Sequence, residues 1–296
     1  MRYRLAIALN NVVLKALLLT LLIGPQVAFG ETGIYVMSAA GGGERKVTSV
    51  ERALTYRSPR WSHDGRRLAF EAVDERNVRK SYVVNVDGTE LREVAPLGSP
   101  DWSPDDKQLA LDSDNGRDSA IFVQNLDGSG RMRLTDGAWP RWSPDGKRIA
   151  FCDGSLLKVH DLLQGGEQRL CEGKFAQRPG SFDWSRDGKR LALFTRTTEG
   201  GPRELYILNA DGTSKDLKPR YSRPGMVGGH VTWSPDDKQL IFTVDSMIHV
   251  LDADGTDQPH LVPNQSENNR DPAVSPNGKW IAFVRREGVG FGFTPN

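Results

Sequence analysis

Residues Trp142–Phe151 read WSPDGKRIAF, and this sequence identifies the repeating unit of the fold. Its first half is a turn, because Pro144 fixes φ at the first central position, Asp145 tolerates the second, and Gly146 accepts a positive φ. Its second half ends in the apolar run Ile149–Phe151. Two short strands joined by such a turn form a β-hairpin.

This phrase occurs six times along the chain. Its copies begin at Trp61, Trp102, Trp142, Trp184, Trp233 and Val274. Successive copies start 41, 40, 42, 49 and 41 residues apart, and a short apolar run follows each turn. A second β-rich phrase closed by a glycine turn lies between the hairpins, as in Tyr82–Gly88 and Leu205–Gly212. Four strands in each repeat of this length are typical of a β-propeller blade.

The two ends of the chain carry complementary halves of the repeat. Residues 33–48 match only its second half, and residues 271–285 match only its first half. They could be ragged ends of an open array, but pairing them in one sheet hides both exposed edges. The sequence therefore predicts an all-β fold: a six-bladed β-propeller of four-stranded blades, closed by shared N- and C-terminal strands.

The N-terminus reads as a signal peptide spanning residues 1–30. Arg2, Arg4 and Lys15 precede or flank the apolar run Ala16–Ile23, and Ala28–Gly30 supplies small residues for cleavage. An uncleaved membrane anchor is the alternative, but this run is well short of the roughly 20 apolar residues that a membrane span needs. We therefore expect residues 31–296 to form the propeller and the protein to be periplasmic or secreted, without membrane insertion after cleavage.

Charge excludes some classes of partner. Cleavage after residue 30 removes three cations and no anions, so the formal net charge falls from +1 to −2. Nucleic-acid binding requires a basic excess that such a chain lacks. We expect a monomer that binds no nucleic acid.

Motifs for catalysis or metal binding are absent from the sequence. It contains no GxSxG nucleophile elbow, no HExxH motif and no paired CxxC motifs. The five histidines are scattered over different repeats, so we predict no catalytic residue, no metal and no cofactor. We interpret the repeated turn aspartates as structural caps; they are Asp64, Asp105, Asp145, Asp187 and Asp236. The repeated Trp and Val positions are predicted to pack between adjacent blades.

Export permits a disulfide between the two cysteines, Cys152 and Cys171. The repeat pattern places them on the second and fourth strands of one blade. Two strand spacings amount to about 9.6 Å, whereas a disulfide needs Cα atoms within about 7 Å. We expect no bridge within the chain.

The repeated phrases resemble the TolB-like propeller repeat, whose consensus is close to P-x-W-S-P-D-G-x-x-I-A-F. The resemblance covers roughly residues 33–285. The resemblance implies a six-bladed propeller. The family includes TolB, a periplasmic component of the envelope-spanning Tol system that binds a peptidoglycan-associated lipoprotein. The same repeats also build propellers attached to prolyl-oligopeptidase-type hydrolases. The present sequence departs from TolB, which carries an α/β domain before its propeller, because here the predicted signal peptide leads directly into propeller strands.

Candidate binding residues lie in the segments just before each hairpin, where the chain crosses toward the central channel. These segments differ from blade to blade, as a specific site on one face of a repeat protein requires, although ordinary solvated loops would also vary. We predict a partner-binding channel mouth formed by Arg57, Trp139, Arg178, His230, Arg270 and Asp271. The arginines and histidine would bind an acidic protein or peptide, Asp271 would accept hydrogen bonds, and Trp139 would be an apolar anchor. The alternative function is a lyase or hydrolase acting on a carbohydrate or other small substrate in the channel.

Overall fold

The two ends of the chain pair with each other, as the half-repeats predict. The computed structural model describes residues 32–50, 53–113, 119–170, 175–176, 178–214, 218–223, 228–255 and 257–286. In it, Gly33–Ser38 (β1) lies antiparallel to Trp280–Arg285 (β24), with Gly33 opposite Arg285. The closing blade adds Arg45–Thr48 (β2) and Asn269–Val274 (β23), in the order β2-β1-β24-β23.

Five further four-stranded antiparallel sheets follow in chain order. Blade 1 contains β3 (Ala53–Trp61), β4 (Arg67–Asp74), β5 (Arg79–Asn85) and β6 (Arg92–Ala95). Blade 2 contains β7 (Gly98–Trp102), β8 (Gln108–Asp112), β9 (Ala120–Asn125) and β10 (Met132–Asp136). Blade 3 contains β11 (Ala138–Trp142), β12 (Arg148–Asp153), β13 (Leu156–Asp161) and β14 (Glu167–Arg169).

The last two of these sheets complete the ring. Blade 4 contains β15 (Ser181–Trp184), β16 (Arg190–Thr195), β17 (Glu204–Asn209) and β18 (Tyr221–Ser222). Blade 5 contains β19 (Gly228–Trp233), β20 (Gln239–Val244), β21 (Met247–Asp252) and β22 (His260–Leu261). The first strands of successive blades contact each other around the central axis. The predicted six-bladed β-propeller is confirmed.

Some predictions concern residues that the structure does not describe. The predicted signal peptide lies outside the described residues, as does Cys171. Cys152 is buried in β12, and the absence of a bridge stays a prediction. Among the residues that are described, none belongs to a helix long and apolar enough to cross a membrane.

The repeated tryptophans join neighbouring blades. Trp102 donates its indole N–H to the backbone oxygen of Arg60 in the preceding blade, at 3.1 Å. Three other indoles make the same bond to the preceding blade: Trp61 to Ala273, Trp184 to Arg141, and Trp233 to Asp183. Because these four indoles are at most 9% exposed, each satisfies its one polar group while its ring fills the space between blades. The predicted packing is confirmed at these four positions, whereas the buried indole N–H of Trp142 has no partner among the described residues.

The turn carboxylates are structural, as the sequence predicts. Asp105 accepts the hydroxyl of Ser103 at 2.6 Å, and the same hydroxyl accepts the backbone N–H of Gln108 at 3.0 Å. The equivalent serine and acid make these bonds in every turn, with Asn277 in place of aspartate in the closing blade. The hydrogen bond from Ser103 lowers the pKa of Asp105, so this carboxyl group is held ionised as a turn cap.

A pairing rule links the turns of adjacent blades. Positions in each turn are counted from its first residue, Trp or Val. Where the third position is proline, the fifth position of the next turn is glycine, and the proline ring lies 3.6–3.8 Å from the place that a Cβ on this glycine would occupy. Where proline is missing, the next turn carries aspartate, whose carboxylate accepts the N–H that proline lacks. The pairs are Pro104 with Gly146, Pro144 with Gly188, Pro235 with Gly278, Pro276 with Gly65, His63 with Asp106, and Arg186 with Asp237.

We expect the pair His63 and Asp106 to be energetically coupled. Asp106 accepts the N–H groups of His63 and Asp64 at 2.7 and 2.8 Å, so Asp106→Gly should lower the free energy of unfolding by about 1–2 kcal/mol. His63→Pro should cost a similar amount because it removes one donor. The double variant recreates the Pro–Gly pair of the other turns, and it should regain about 1 kcal/mol over the sum of the singles. Urea denaturation of all four proteins measures this, and strict additivity would contradict the rule.

Candidate ligand-binding mouth

The structure places all six predicted mouth residues around one opening of the channel. Cavity A, of about 370 Å³, is lined by Arg57, Arg203, His230, Arg270 and Asp271, among others. Cavity B, of about 220 Å³, shares Arg57 and His230 with cavity A and adds Trp139. Cavity C, an open groove, is lined by Arg57, Trp139 and Arg178. The side chain of Arg57 therefore connects three cavities that together contain every predicted residue.

Left-handed backbone at the entry of the first strands sets the direction of these side chains. Ser58, Ser99, Trp139 and Asp271 occupy equivalent repeat positions and have φ between 49° and 57°. In each case the register between the first and second strands shifts there, as in a β-bulge. A non-glycine residue in this region costs about 1 kcal/mol or more. The surroundings must therefore hold these positions in place.

Carboxylates from the preceding blade hold the bulges. The N–H of Trp139 donates to Asp112 at 2.7 Å, and the N–H of Ser99 donates to Glu71 at 2.8 Å. Asp271 accepts the N–H of Ser58 at 3.0 Å. These charge-assisted bonds offset the strain and fix Trp139 toward cavities B and C, where Arg178 lies 5.2 Å from its ring centre.

His230 and Asp271 make a close polar contact at the seam of the ring. His230 Nε2 lies 3.1 Å from Asp271 Oδ1, and the other carboxylate oxygen is occupied by Ser58. Asp271 thus bridges blades 5, 1 and the closing blade, and it is buried, whereas the neighbouring Arg270 is exposed. Burial lowers the pKa of His230, and the charge of Asp271 offsets this only in part. Burial therefore favours the neutral form of the imidazole.

A buried ion network supports the wall of cavity B. Arg79 donates to both oxygens of Glu71, at 3.1 and 2.7 Å, and to Asp112 at 2.7 Å. Glu71 is 1% exposed and Asp112 is fully buried. Burial alone lowers the pKa of Arg79, but the bonds and charges of Glu71 and Asp112 outweigh it and raise that pKa. The same two carboxylates hold the bulges at Ser99 and Trp139, so this network fixes the entry loops of blades 2 and 3.

Four charged side chains cross the middle of the channel. They precede the repeated tryptophans of blades 1 to 4 and alternate in sign: Arg60, Asp101, Arg141 and Asp183. Arg60 reaches across the axis, and its Nη1 lies 3.3 Å from Asp183 of the opposite blade. Arg60, Asp101 and Asp183 line a small cavity at the end of the channel that carries the repeated turns, here called the turn side. Arg141 lines cavity B on the opposite, mouth side. The charged residues therefore lie between the two ends of the channel.

The mouth has a marked positive balance. Five arginines line cavities A and B, against two carboxylates, Glu71 and Asp271. A concave site lined mainly by one sign of charge concentrates ligands of the opposite sign. Within the described ranges, no three His, Cys, Asp or Glu side chains converge closely enough to hold a metal ion.

Sequence reasoning missed several residues that shape this site. The channel charges stand directly before each repeated tryptophan, so their alternation along the repeats was a readable signal. Arg203 gave no such signal, because it lies between the second and third strands of blade 4. Its Nη1 is 3.1 Å from the place of a Cβ at both Gly180 and Gly229. Only the folded ring brings these three residues together.

The fold defines the class, a six-bladed β-propeller, and one opening of its central channel is lined by arginines. A profile of the TolB beta propeller domain matches residues 27–180 and 138–295. The chain belongs to this family.

Individual relatives resemble parts or all of the propeller. The chain is 34% identical over 82 residues to the Tol-Pal system protein TolB of Alcanivorax borkumensis, covering 26% of this chain and 19% of that protein. It is 32% identical over 94 residues to the uncharacterized peptidase YuxL of Bacillus subtilis, covering 30% and 14%. The matches thus span less than a fifth of either relative. The structure of a putative TolB from Agrobacterium tumefaciens superposes with a TM-score of 0.70 at 19% identity, over 88% of this chain and 99% of that one, which establishes the common fold.

Proposed function

We propose that this protein is an exported, non-catalytic propeller that binds an acidic segment of a protein partner at its channel mouth. The observation that carries the proposal is the excess of arginines over carboxylates around cavities A and B. Arginine binds carboxylates in a two-bonded fork, and side chains from several blades meet at the opening. The name of the TolB relative, a Tol-Pal system protein, supports a role in the cell envelope.

Trp139 supplies the apolar part of the proposed site. Its ring is only partly buried, and it lines both cavity B and cavity C. Exposed tryptophan and arginine side chains carry much of the binding energy in protein interfaces. Arg178 beside the ring adds a cation that a partner carboxylate can reach. A partner segment with acidic residues and one apolar residue fits this arrangement.

We expect the mouth variants to weaken binding of a defined acidic probe, hexaglutamate, measured by calorimetry at low salt. Arg57→Ala, Trp139→Ala and Arg178→Ala should each raise Kd about tenfold. Arg133→Ala on β10 is the matched control, because Arg133 and Arg57 are similarly exposed, at 53% and 55%. Hexalysine should not bind. Unchanged affinity in all three folded mouth variants would move the site to another face.

Binding should also tighten as pH falls. Burial lowers the pKa of His230 in the free protein and so favours its neutral form, whereas an acidic ligand raises that pKa by charge attraction. The complex therefore takes up a proton, and affinity rises as pH falls through the window between the free and bound pKa values. The fixed charges near His230 are Asp271 on β23, Arg60 on β3, Arg141 on β11 and Arg203 before β17.

The corresponding measurement is the Kd of hexaglutamate at pH 7.5 and 5.5, where glutamate remains mostly ionised. We expect about three- to tenfold tighter binding at the lower pH, and His230→Gln should remove most of this dependence. His249→Gln is the control, because the pKa of His249 is also lowered by burial but this residue lies on β21, outside cavities A to C. An equal pH dependence in wild type and His230→Gln would contradict the assignment.

A further inference from the structure

Arg141 lies at the inner end of cavity B with most of its hydrogen-bonding capacity unused. The residue is 4% exposed. Within the described part of the chain, its guanidinium makes one hydrogen bond, from Nη1 to the backbone oxygen of Pro140 at 2.8 Å. Its Nε is buried and has no partner among the described residues. Since a guanidinium has five N–H donors, the Nε edge of Arg141 carries donor capacity that no described residue uses.

The other arginine of this wall is used differently. Arg79 makes three hydrogen bonds to Glu71 and Asp112, and a fourth to Ser99 at 3.0 Å. Its role in holding the wall is therefore complete without a ligand. Buried charged groups in proteins are normally paired and hydrogen-bonded in this way. Arg141 is the exception in cavity B, and such an exception requires an explanation.

The charge of Arg141 is also poorly balanced. The nearest acids of the channel are shared, because Asp183 contacts both Arg60 and Thr232 and Asp101 accepts the N–H of Trp142. Burial, together with the charge of Arg60, lowers the pKa of Arg141 to about 10 despite the carboxylates nearby. A negatively charged group in cavity B would supply the missing partner.

The cavity accepts something small from the mouth side. Its volume is about 220 Å³, and five blades contribute to its lining. Beyond Arg141, the ion pair between Arg60 and Asp183 crosses the channel axis. A ligand entering past Arg57 and Trp139 would therefore end against the guanidinium. The cavity suits a single terminal group more than a strand passing through.

We propose that cavity B binds one carboxylate group, held in a fork by the Nε edge of Arg141, as the innermost contact of an acidic ligand. This rests on the proposed function in so far as an acidic protein segment carries the carboxylate. An acidic side chain, a chain terminus and a free small carboxylate share this chemistry. The outer arginines at the mouth would attract the segment, and Arg141 would select the group that inserts.

The test follows the arginine Nε–H signals of the whole protein by proton–nitrogen NMR, with Arg141 assigned through Arg141→Lys. The probes are acetate, hexaglutamate amide and hexaglutamine with a free carboxyl terminus, each against chloride of equal ionic strength. We expect the Arg141 signal to move downfield with at least one probe as the new bond forms, which also identifies the source of the carboxylate. The Nε–H of Arg79, already bonded to Glu71, is the internal control and should stay in place.

Arg141→Lys keeps the charge but lacks the fork, so it should weaken the active probe about tenfold. A probe that saturates the protein while the Arg141 signal stays fixed, or an unchanged affinity in Arg141→Lys, would overturn the inference and leave the proposed function standing. If acetate moves the signal while hexaglutamate fails to bind, the carboxylate site stands and the proposed function fails. If the variant does not fold, backbone and side-chain triple-resonance NMR of the wild type assigns the Arg141 Nε–H signal, and its titration still decides the question.

Discussion

A protein lacking residues 31–50 is expected not to fold cooperatively. The deletion removes β1 and β2, and with them the fully buried side chains of Ile34, Val36 and Met37. Losing each such side chain costs about 2–5 kcal/mol, so the sum matches or exceeds the 5–15 kcal/mol by which a typical domain is stable. The deletion also exposes the edge of β24, which is a template for aggregation.

Circular dichroism during thermal unfolding measures this effect. The comparison protein lacks residues 289–296, which follow the end of β24 at Arg285, and it should unfold with a Tm close to that of the full chain. Supplying residues 31–50 as a separate peptide should restore part of the native signal. A deletion variant that unfolds cooperatively within a few degrees of the full chain would show that the shared blade does not close the ring.

The second large effect is expected from Arg79→Met. This change leaves Glu71 and Asp112, both almost fully buried, without their cation. Removing one partner of a buried ion network costs about 3–5 kcal/mol, because an uncompensated charge remains. The same carboxylates hold the bulges at Ser99 and Trp139, so the entry loops of blades 2 and 3 should also lose their fixed positions.

The neighbouring residue provides a matched control. Lys80 pairs with Glu93 at 2.7 Å, but both side chains are about 40% exposed, and such surface pairs contribute little to stability. Lys80→Met should therefore change the free energy of unfolding little. Urea denaturation compares the two variants, and equal small losses would mean that the network at Arg79 does not stabilise the blade.

The fold could be predicted from the sequence because its determinants are local and repeated. The turn at Trp142–Gly146 and its five relatives set the blade length, and the half-repeats at the two ends set the closure. The exceptions were informative in the same way: Asp106 replaces the turn glycine because His63, unlike proline, has an N–H to donate. Each of these signals lies within a few residues of the chain or recurs once per blade.

The candidate site was only partly predictable. The entry segments could be aligned by the repeat, so the six predicted mouth residues could be assigned to one opening of the channel. Contacts between residues on different blades could not be predicted from the repeat. Arg60 pairs with Asp183 of the opposite blade, and Arg203 reaches the mouth from the connection between β16 and β17 of blade 4. The donors of Arg141 are unused because the nearby Asp183 and Asp101 are engaged by other residues. No local sequence pattern predicts this distribution of contacts.

A crystal structure of the protein bound to hexaglutamate would show whether the arginine-lined mouth binds an acidic ligand. We expect peptide density in cavities A and B, with carboxylates near Arg57, His230 and Arg270 and one carboxylate at Arg141. Peptide density confined to the turn-side cavity around Arg60 and Asp101, or to the outer strands, would contradict it.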